Sequence, residues 1–262
     1  MEHVAGDGAS RRVAVITGVS RPSGIAAAVA RRLGASHDLW LTGLSAYDRE
    51  QRSESGDQGA AQIRDEVRAL GARVEHRSAD LSQPLAPAEV VAGALSAFGR
   101  VDALVAAHAH SVVAPLDALD AAGIDSHLIV NVRATLLLVK EFARVHDPAW
   151  GAGRIVLFSS GQRLGPMPDE LAYAASKGGV EALVLSLADG LAGAGITVNA
   201  VNPGPTDTGW LRGEAYERVR AKFPNQQWGT PDDAARAVAW LAGEDAAWIT
   251  GQVLDSEGGF RR

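Results

Sequence analysis

The sequence predicts a single α/β domain, in which one doubly wound parallel sheet carries helices on both faces. Short apolar, largely β-branched runs alternate with longer helical segments along the whole 262-residue chain. Several of these runs are continuously apolar, which is typical of strands buried on both faces of a parallel sheet. Because crossovers between parallel strands are right-handed, the helices must cover both faces of the sheet.

The predicted elements follow one another in alternation. Strand-like runs lie at residues 13–16, 39–42, 73–77, 103–106, 154–158, 196–201 and 252–254. Helical patterning covers residues 25–33, 60–70, 88–97, 124–145, 172–192 and 231–241. The polar stretch 47–59 predicts a surface loop. With neither an internal repeat nor an interdomain linker, residues 1–262 are interpreted as one domain in which residues 1–11 are flexible.

The composition narrows the classes of function. A net charge of −6 without a basic run argues against nucleic acid as a partner. The absence of cysteine excludes disulfides and thiolate metal sites, and we expect no metal. The polar residues 1–12 lack the apolar segment of a secretory signal, and no apolar run looks long enough to span a bilayer. We therefore expect a cytoplasmic protein without a membrane partner.

Tyr173 and Lys177 form the most informative pair in the chain. At positions i and i+4 they share one helix face, where an ammonium group can lower the pKa of a phenol. Ser160 lies thirteen residues before Tyr173, and its hydroxyl could share a substrate oxygen with the phenol. Together they suggest a proton-transfer device for a carbonyl or an alcohol. A plain pair on a helix surface is the alternative.

The first predicted strand runs into a glycine-rich turn and then into a helix. Glycines let a backbone approach a pyrophosphate, and a helix N-terminus supplies hydrogen-bond donors. An ordinary strand-to-helix connection is the alternative. The candidate cofactor residues in this turn are Gly18, Ser20, Arg21, Gly24 and Ile25.

The end of the second strand bears on the choice of cofactor. It reads Thr42-Gly43-Leu44-Ser45, with no acid to bind an adenosine ribose, and Asp48 lies further on. Arg21 could instead meet a 2′-phosphate, or it could be a solvated loop charge. NADP(H) is therefore favoured and NAD(H) stays possible. After the third strand, Asp80 could accept a hydrogen bond from an adenine amino group or cap the next turn.

In this order along the chain, the features resemble the short-chain dehydrogenase/reductase family. The resemblance covers residues 11–262 and is strongest to bacterial members described as 3-oxoacyl-acyl-carrier-protein-reductase-like, which share the long glycine turn and a similar segment at 248–261. It implies a Rossmann-type fold. It rests on the glycine turn, the segment 203–208 and the residues Asp80, Asn131, Ser160, Tyr173 and Lys177.

The resemblance also implies a role for each matching residue. Tyr173 would be the general acid in reduction and the base in oxidation, and Lys177 would lower its pKa and hold the nicotinamide ribose. Ser160 would polarise the carbonyl, and Asn131 would support a water that links Lys177 to solvent. Further cofactor contacts would come from Leu81, Ala107, Pro203, Gly204, Thr206 and Thr208, with Thr208 on the carboxamide or the phosphates.

One segment departs from the family pattern. The fourth strand of the family ends Asn-Asn-Ala-Gly, whereas this chain has Ala106-Ala107-His108-Ala109. Because alanines cannot tie neighbouring strands through side-chain hydrogen bonds, we expect a weaker tie and a less certain adenine-side loop. His108 adds a polar ring near the cofactor path. His110 either faces the active-site cleft or is a plain loop histidine.

The substrate side is expected between the sixth strand and the last helix. Residues 205–226 would form a lid near the carboxyl ends of the strands. The candidate pocket residues are His110, Gln162 and Trp210, although ordinary lid packing explains the aromatic residues equally well. No basic cluster marks a docking face for an acyl carrier protein.

The sequence thus favours an NADP(H)-dependent ketoreductase or secondary-alcohol dehydrogenase acting on a small molecule. The alternatives are an NAD-dependent alcohol dehydrogenase, a non-catalytic NADP(H)-binding redox sensor and, more remotely, a structural oligomer. The resemblance further implies a homo-oligomer, either a tetramer or a dimer, formed through paired long helices and C-terminal strands.

Overall fold

A computed structural model describes residues 11–50 and 56–262. Within these residues, seven parallel strands form one sheet in the order β3-β2-β1-β4-β5-β6-β7. The predicted fold class and strands are confirmed, with small shifts of their ends. The strands are β1 (Arg12–Thr17), β2 (His37–Gly43), β3 (Val74–Ser78), β4 (Ala103–Ala106), β5 (Gly153–Phe158), β6 (Ile196–Asn202) and β7 (Val253–Asp255).

Helices cover both faces of this sheet. They are α1 (Ile25–Leu33), α2 (Ser45–Glu50), α3 (Gly56–Arg68), α4 (Ala86–Phe98), α5 (Ala121–His127), α6 (Ala134–Val145), α7 (Leu171–Ala192), α8 (Gly213–Arg220) and α9 (Pro231–Ala242). Successive strand residues point to opposite faces. Ile16 therefore packs with α1, α3 and α9, while its neighbour Val15 packs with α4, α6 and α7.

The strand order reverses direction next to β1. The chain winds outward through β2 and β3, then returns to the other side of β1 to place β4. Ligands of open α/β sheets bind at such a reversal, beyond the carboxyl ends of the strands. The turn after β1 and the segment after β5 both reach this edge, so the two predicted halves of the site share one crevice.

The short helices α2 and α8 lie where no helix was predicted. α2 occupies Ser45–Glu50 and α3 begins at Gly56, so the predicted loop 47–59 is wrong on both sides of residues 51–55, which lie outside the described residues. The lid segment 205–226 contains α8, which buries none of its side chains. Helices this short and polar lack the apolar periodicity that would reveal them.

The predicted helix 124–145 is interrupted. Its central residues Leu128–Arg133 form a π-helical turn between α5 and α6. Together, the 25 residues Ala121–Val145 are long and apolar enough to cross a membrane by length and composition, so the expectation that every apolar run is too short is wrong. Leu138 and Phe142 of this stretch are buried in the core beneath the sheet, as in a core helix.

The expectation that residues 1–11 are flexible concerns mainly residues 1–10, which lie outside the described residues. Arg11 itself is held in place. Its Nη2 donates to the carbonyl oxygen of Gly34 at 2.6 Å, and its Nε lies 3.2 Å from Asp38.

Candidate active site

Ser160, Tyr173 and Lys177 meet at the carboxyl end of β5. Ser160 is the second residue after the end of β5, and α7 begins two residues before Tyr173. The Ser160 hydroxyl lies near enough to the Tyr173 hydroxyl to act on its pKa, which it lowers. The Lys177 ammonium lies 5.7 Å from the centre of the Tyr173 ring and donates to the Phe158 carbonyl at 2.9 Å. The predicted helix face is therefore formed, with the serine hydroxyl opposite it.

Burial sets the protonation of this pair. Burial raises the pKa of Tyr173 to about 12, against the lowering effect of the nearby Ser160 hydroxyl and together with the nearby carboxylate of Glu170. Burial also lowers the pKa of Lys177 to about 8. Desolvation of the phenol prevails among these causes, and the Lys177 ammonium is turned to a backbone carbonyl. That Lys177 lowers the pKa of Tyr173 stays a prediction. Tyr173 is consequently a phenol at neutral pH.

Asn131 lies in the π-helical turn and is almost fully buried. Its Nδ2 donates to the His110 carbonyl and to Ser176 Oγ, both at 2.9 Å. Its Oδ1 accepts from the His110 amide at 2.7 Å. Asn131 thus holds the backbone of His110 from both sides and joins it to the helix that carries Lys177.

The His108 side chain makes hydrogen bonds between neighbouring segments that we expected to be absent, since this chain lacks the family's asparagines. Because a carbonyl oxygen only accepts, its Nε2 donates to Val130 O at 3.0 Å. Its Nδ1 then accepts from Thr17 Oγ1 at 2.7 Å, and Thr17 Oγ1 accepts from the Ala107 amide at 3.1 Å. The expected weak tie at residues 106–109 is therefore wrong, since one buried imidazole links β1, the end of β4 and the π-helical turn.

The same imidazole is neutral. Burial, together with the positive charge of Lys177, lowers the pKa of His108 to about 4. A neutral ring with one donor and one acceptor is what the contacts to Val130 and Thr17 require.

The nucleotide end of the crevice is a cleft at the tips of β1, β2 and β4. Gly18 has φ +78°, and a Cβ there would lie 2.8 Å from the Ala107 carbonyl oxygen. His110 lines this cleft together with six predicted cofactor residues, which are Gly18, Ser20, Arg21, Asp80, Leu81 and Ala107.

Gly24 and Ile25 form the N-terminus of α1. Gly24 caps the helix without a side-chain hydrogen bond, which leaves the first-turn N–H groups for a ligand. Asp80 caps a turn, since its carboxylate accepts from the Ser82 amide at 2.9 Å and from Gln83 at 3.1 Å. Burial works to raise the pKa of Asp80, but these hydrogen bonds lower it overall.

The segment after β6 forms the opposite wall. Gly204 has φ +60°, and its amide donates to Asn202 Oδ1 at 3.0 Å. Thr206 Oγ1 turns back to the Gly204 carbonyl at 3.2 Å. Ser23 Oγ donates to the Thr208 carbonyl at 3.4 Å, which joins this wall to the glycine turn. Pro203, Gly204, Thr206 and Thr208 thus lie in one turn facing the glycine turn.

The three predicted substrate residues have different surroundings. His110 is half-buried, with its ring centre 4.6 Å from that of His127. The Gln162 amide is turned to Ser159 and Glu181. Trp210 is 57% exposed, its indole N–H bonds the Thr206 carbonyl, and its ring packs edge-on against Trp228. His110 alone of the three lines the cleft described above.

Sequence reasoning missed three groups next to these residues. Tyr47 lies with its ring centre 5.6 Å from His110, and His127 lies 6.4 Å from Tyr173. Burial raises the pKa of Glu170, which precedes α7. No local pattern marks them, because α2, α5 and α7 bring them together from distant parts of the chain.

The chain is similar in sequence and in fold to known oxidoreductases. The sequence profile of the family described as Enoyl-(Acyl carrier protein) reductase matches residues 18–261. The chain is 40% identical to the uncharacterized oxidoreductase YjdA of Bacillus subtilis, over 96% of this chain and 97% of that protein. It is 33% identical to an NADPH-dependent aldehyde reductase-like protein, chloroplastic, of Arabidopsis thaliana, over 95% and 94% of the two chains. A short chain dehydrogenase from Burkholderia cenocepacia, solved in complex with NADP, superposes with a TM-score of 0.83 at 34% identity, over 95% and 97% of the two chains.

Proposed function

This chain belongs to the short-chain dehydrogenase/reductase family of oxidoreductases that act on CH–OH and C=O groups, and we propose that it is an NADP(H)-dependent ketoreductase. The same site would run in reverse as a secondary-alcohol dehydrogenase. One observation carries the proposal: the neighbouring hydroxyls of Ser160 and Tyr173 lie beside the buried Lys177 ammonium, which is 5.7 Å from the centre of the Tyr173 ring. Such a pair can hold one carbonyl oxygen and protonate it.

The residues at the nucleotide end fit a dinucleotide. The turn at Gly18 packs so closely on Ala107 that a Cβ has no room, and the same glycine lines the cleft, as in a glycine turn that binds a pyrophosphate. The uncapped first turn of α1 offers N–H donors to a pyrophosphate. When bound, the nicotinamide supplies the hydride.

The choice of NADP(H) over NAD(H) is part of the proposal. A Cβ at Gly43, the last residue of β2, would lie 2.7 Å from the Val19 carbonyl oxygen, so no acidic side chain fits there to bind a ribose diol. Arg21 lines the same cleft and can pair with a 2′-phosphate. The NADP complex of the Burkholderia cenocepacia relative supports this preference.

Tyr173 is the proposed proton donor. Its pKa of about 12 keeps the phenol protonated at neutral pH, which favours the reductive direction. Ser160 orients the carbonyl through the same oxygen. Lys177, with a pKa of about 8, can exchange protons near neutral pH and restore the phenol after turnover.

The substrate side and the assembly are proposed more broadly. His110 is the proposed substrate contact, because neither of its ring nitrogens has a hydrogen-bond partner within residues 11–50 and 56–262. Gln162 and Trp210 stay predicted substrate contacts.

Leu185 of α7 is 69% exposed and Trp248 is 99% exposed, which supports a homo-oligomer, either a dimer or a tetramer, formed through α7 and β7. We also propose that the protein is located in the cytoplasm and acts on a small-molecule substrate.

Titration with NADPH and NADH side by side, followed by turnover of a panel of ketones, tests the proposal. NADPH is expected to bind more tightly. The variant Tyr173→Phe should lose turnover by about 10²- to 10⁴-fold, because the proton donor is gone, and should still bind NADPH.

Two rival functions give other results. Tighter binding of NADH, with turnover of alcohols, would indicate an NAD-dependent alcohol dehydrogenase. Cofactor binding without turnover of any ketone or alcohol, and unchanged by Tyr173→Phe, would indicate a redox sensor.

A further inference from the structure

Glu257 and Arg262 form a bidentate ion pair in the segment that follows β7. The Arg262 guanidinium donates to both carboxylate oxygens of Glu257, at 2.5 and 2.8 Å. The Glu257 side chain is only 8% exposed and that of Arg262 is 23% exposed. The guanidinium also lies over the Phe260 ring at 5.6 Å. A bidentate pair with this little exposure has a fixed geometry.

One side of the pair fills the serine loop, defined as residues 160–165. A Cβ added to Gly161 would lie 2.2 Å from Arg262 Nη2. A Cβ added to Gly165 would lie 2.2 Å from Arg262 Cδ. The arginine therefore occupies the space that side chains at both glycines would take, directly after Ser160.

The other side of the pair rests on the nicotinamide turn, defined as residues 203–208. A Cβ on Gly204 would lie 2.8 Å from Glu257 Cγ. Glu257 Oε1 accepts from Asn202 Nδ2 at 2.8 Å, and Asn202 Oδ1 accepts from the Gly204 amide at 3.0 Å. Glu257 is thus fixed to the end of β6 and to the turn that follows it.

We infer that the Glu257–Arg262 pair is a clamp that sets the position of the serine loop relative to the nicotinamide turn. The inference rests on the proposed function, in which the first segment orients the carbonyl and the second borders the hydride donor. Glu257 and Arg262 are positioning residues, since they act through Ser160 and Gly204. Hydride transfer depends steeply on alignment, and a misplacement of about 1 Å can cost on the order of 10²-fold in rate.

Arg262→Ala tests the clamp, with Arg261→Ala as the matched control because Arg261 is exposed next to it. Arg262→Ala is expected to lower kcat about 10- to 100-fold and to raise the primary isotope effect measured with deuterated NADPH. NADPH affinity should change little. Arg262→Lys should recover part of the rate. Unchanged kcat and isotope effect in Arg262→Ala would overturn the inference.

A double-mutant cycle separates the clamp from a general loss of folding. Gly165→Ala should displace the Arg262 side chain and lower kcat in the otherwise unchanged protein. In the Arg262→Ala background the same substitution should add almost nothing, since the two changes remove one contact. Full additivity would contradict the clamp.

Hydrogen exchange tests the clamp even if the proposed function fails. Arg262→Ala should speed amide exchange in both the serine loop and the nicotinamide turn, whereas Arg261→Ala should not. If exchange is unchanged in both segments, the clamp is wrong, whatever the enzyme turns over. If exchange rises but no carbonyl is reduced by the parent protein, only the proposed function is wrong.

Discussion

The nucleotide end and the proton-transfer end of the crevice are built from different parts of the chain. The nucleotide end depends on close backbone packing, with Gly18 and Gly43 pressed against neighbouring backbone atoms. The proton-transfer end, with the His108 imidazole beside it, depends on buried polar side chains, among them Asn131 and Lys177. We therefore expect added side-chain atoms to damage the nucleotide end, and the removal of side-chain atoms to damage the proton-transfer end.

The largest effect is expected at Gly18, and a matched glycine isolates its cause. Gly18 and Gly71 both have positive φ, +78° and +87°, but a Cβ at Gly71 would meet nothing within 4 Å. Gly71→Ala should therefore cost only the backbone strain of about 1–2 kcal/mol. Gly18→Ala should cost more, because it also displaces the backbone at Ala107.

Two measurements check this difference. Denaturant unfolding should give the larger loss of stability for Gly18→Ala, and NADPH titration should show weakened binding for that variant alone. Equal effects of the two substitutions would mean that close backbone approach does not govern the nucleotide end.

The next largest effect is expected at His108, where a substitution removes the buried hydrogen-bonding atoms of the imidazole. His108→Ala leaves the Thr17 hydroxyl and the Val130 carbonyl buried without their partner, which should cost about 2–3 kcal/mol of stability. His108→Asn, which keeps a donor and an acceptor, should lose less. Urea unfolding at pH 7.5 measures both, and equal losses would show that the hydrogen bonds at His108 are not what holds the strands.

The same residue predicts a pH dependence of stability. In the unfolded chain the imidazole takes up a proton below about pH 6.5, whereas the folded ring resists until about 4. The free energy of unfolding is therefore unaffected by this group above pH 6.5. It falls by roughly 3 kcal/mol as the pH drops toward 4. His37 also has a pKa lowered to about 4, so it should cause a similar loss of stability at low pH. His108→Ala should therefore halve the loss caused by the two histidines.

The smallest effect concerns Lys177. Its pKa of about 8 means that the ammonium is lost as pH rises through that value. If the charge contributes to NADPH binding, affinity should weaken above pH 8 by up to about tenfold per pH unit. Calorimetric titration from pH 7 to 9.5 checks this, with the exposed Lys140→Arg as a control. Affinity that stays constant over the range would show that the proton-transfer end does not rely on this charge.

Most of the fold followed from local patterns in the sequence. The strand-like runs predicted every strand of the described sheet. The central strands gave the clearest signal, because strands buried on both faces need continuous apolar residues. Weakly patterned elements were missed, namely α2, α8 and the π-helical turn at Leu128–Arg133. These elements bury few apolar residues, or differ from an α-helix only in hydrogen-bond register, so composition does not reveal them.

The sequence by itself determined the parallel sheet, the glycine turn and the spacing that brings Tyr173 and Lys177 onto one helix face. These features depend on residues close together in the chain, where helix and strand periodicity operate. Only the tertiary structure decided that His108 replaces the missing asparagines, that burial raises the pKa of Tyr173, and that Glu257 and Arg262 pair between two loops. The reason is physical: desolvation and contacts between distant segments arise only when the chain has packed.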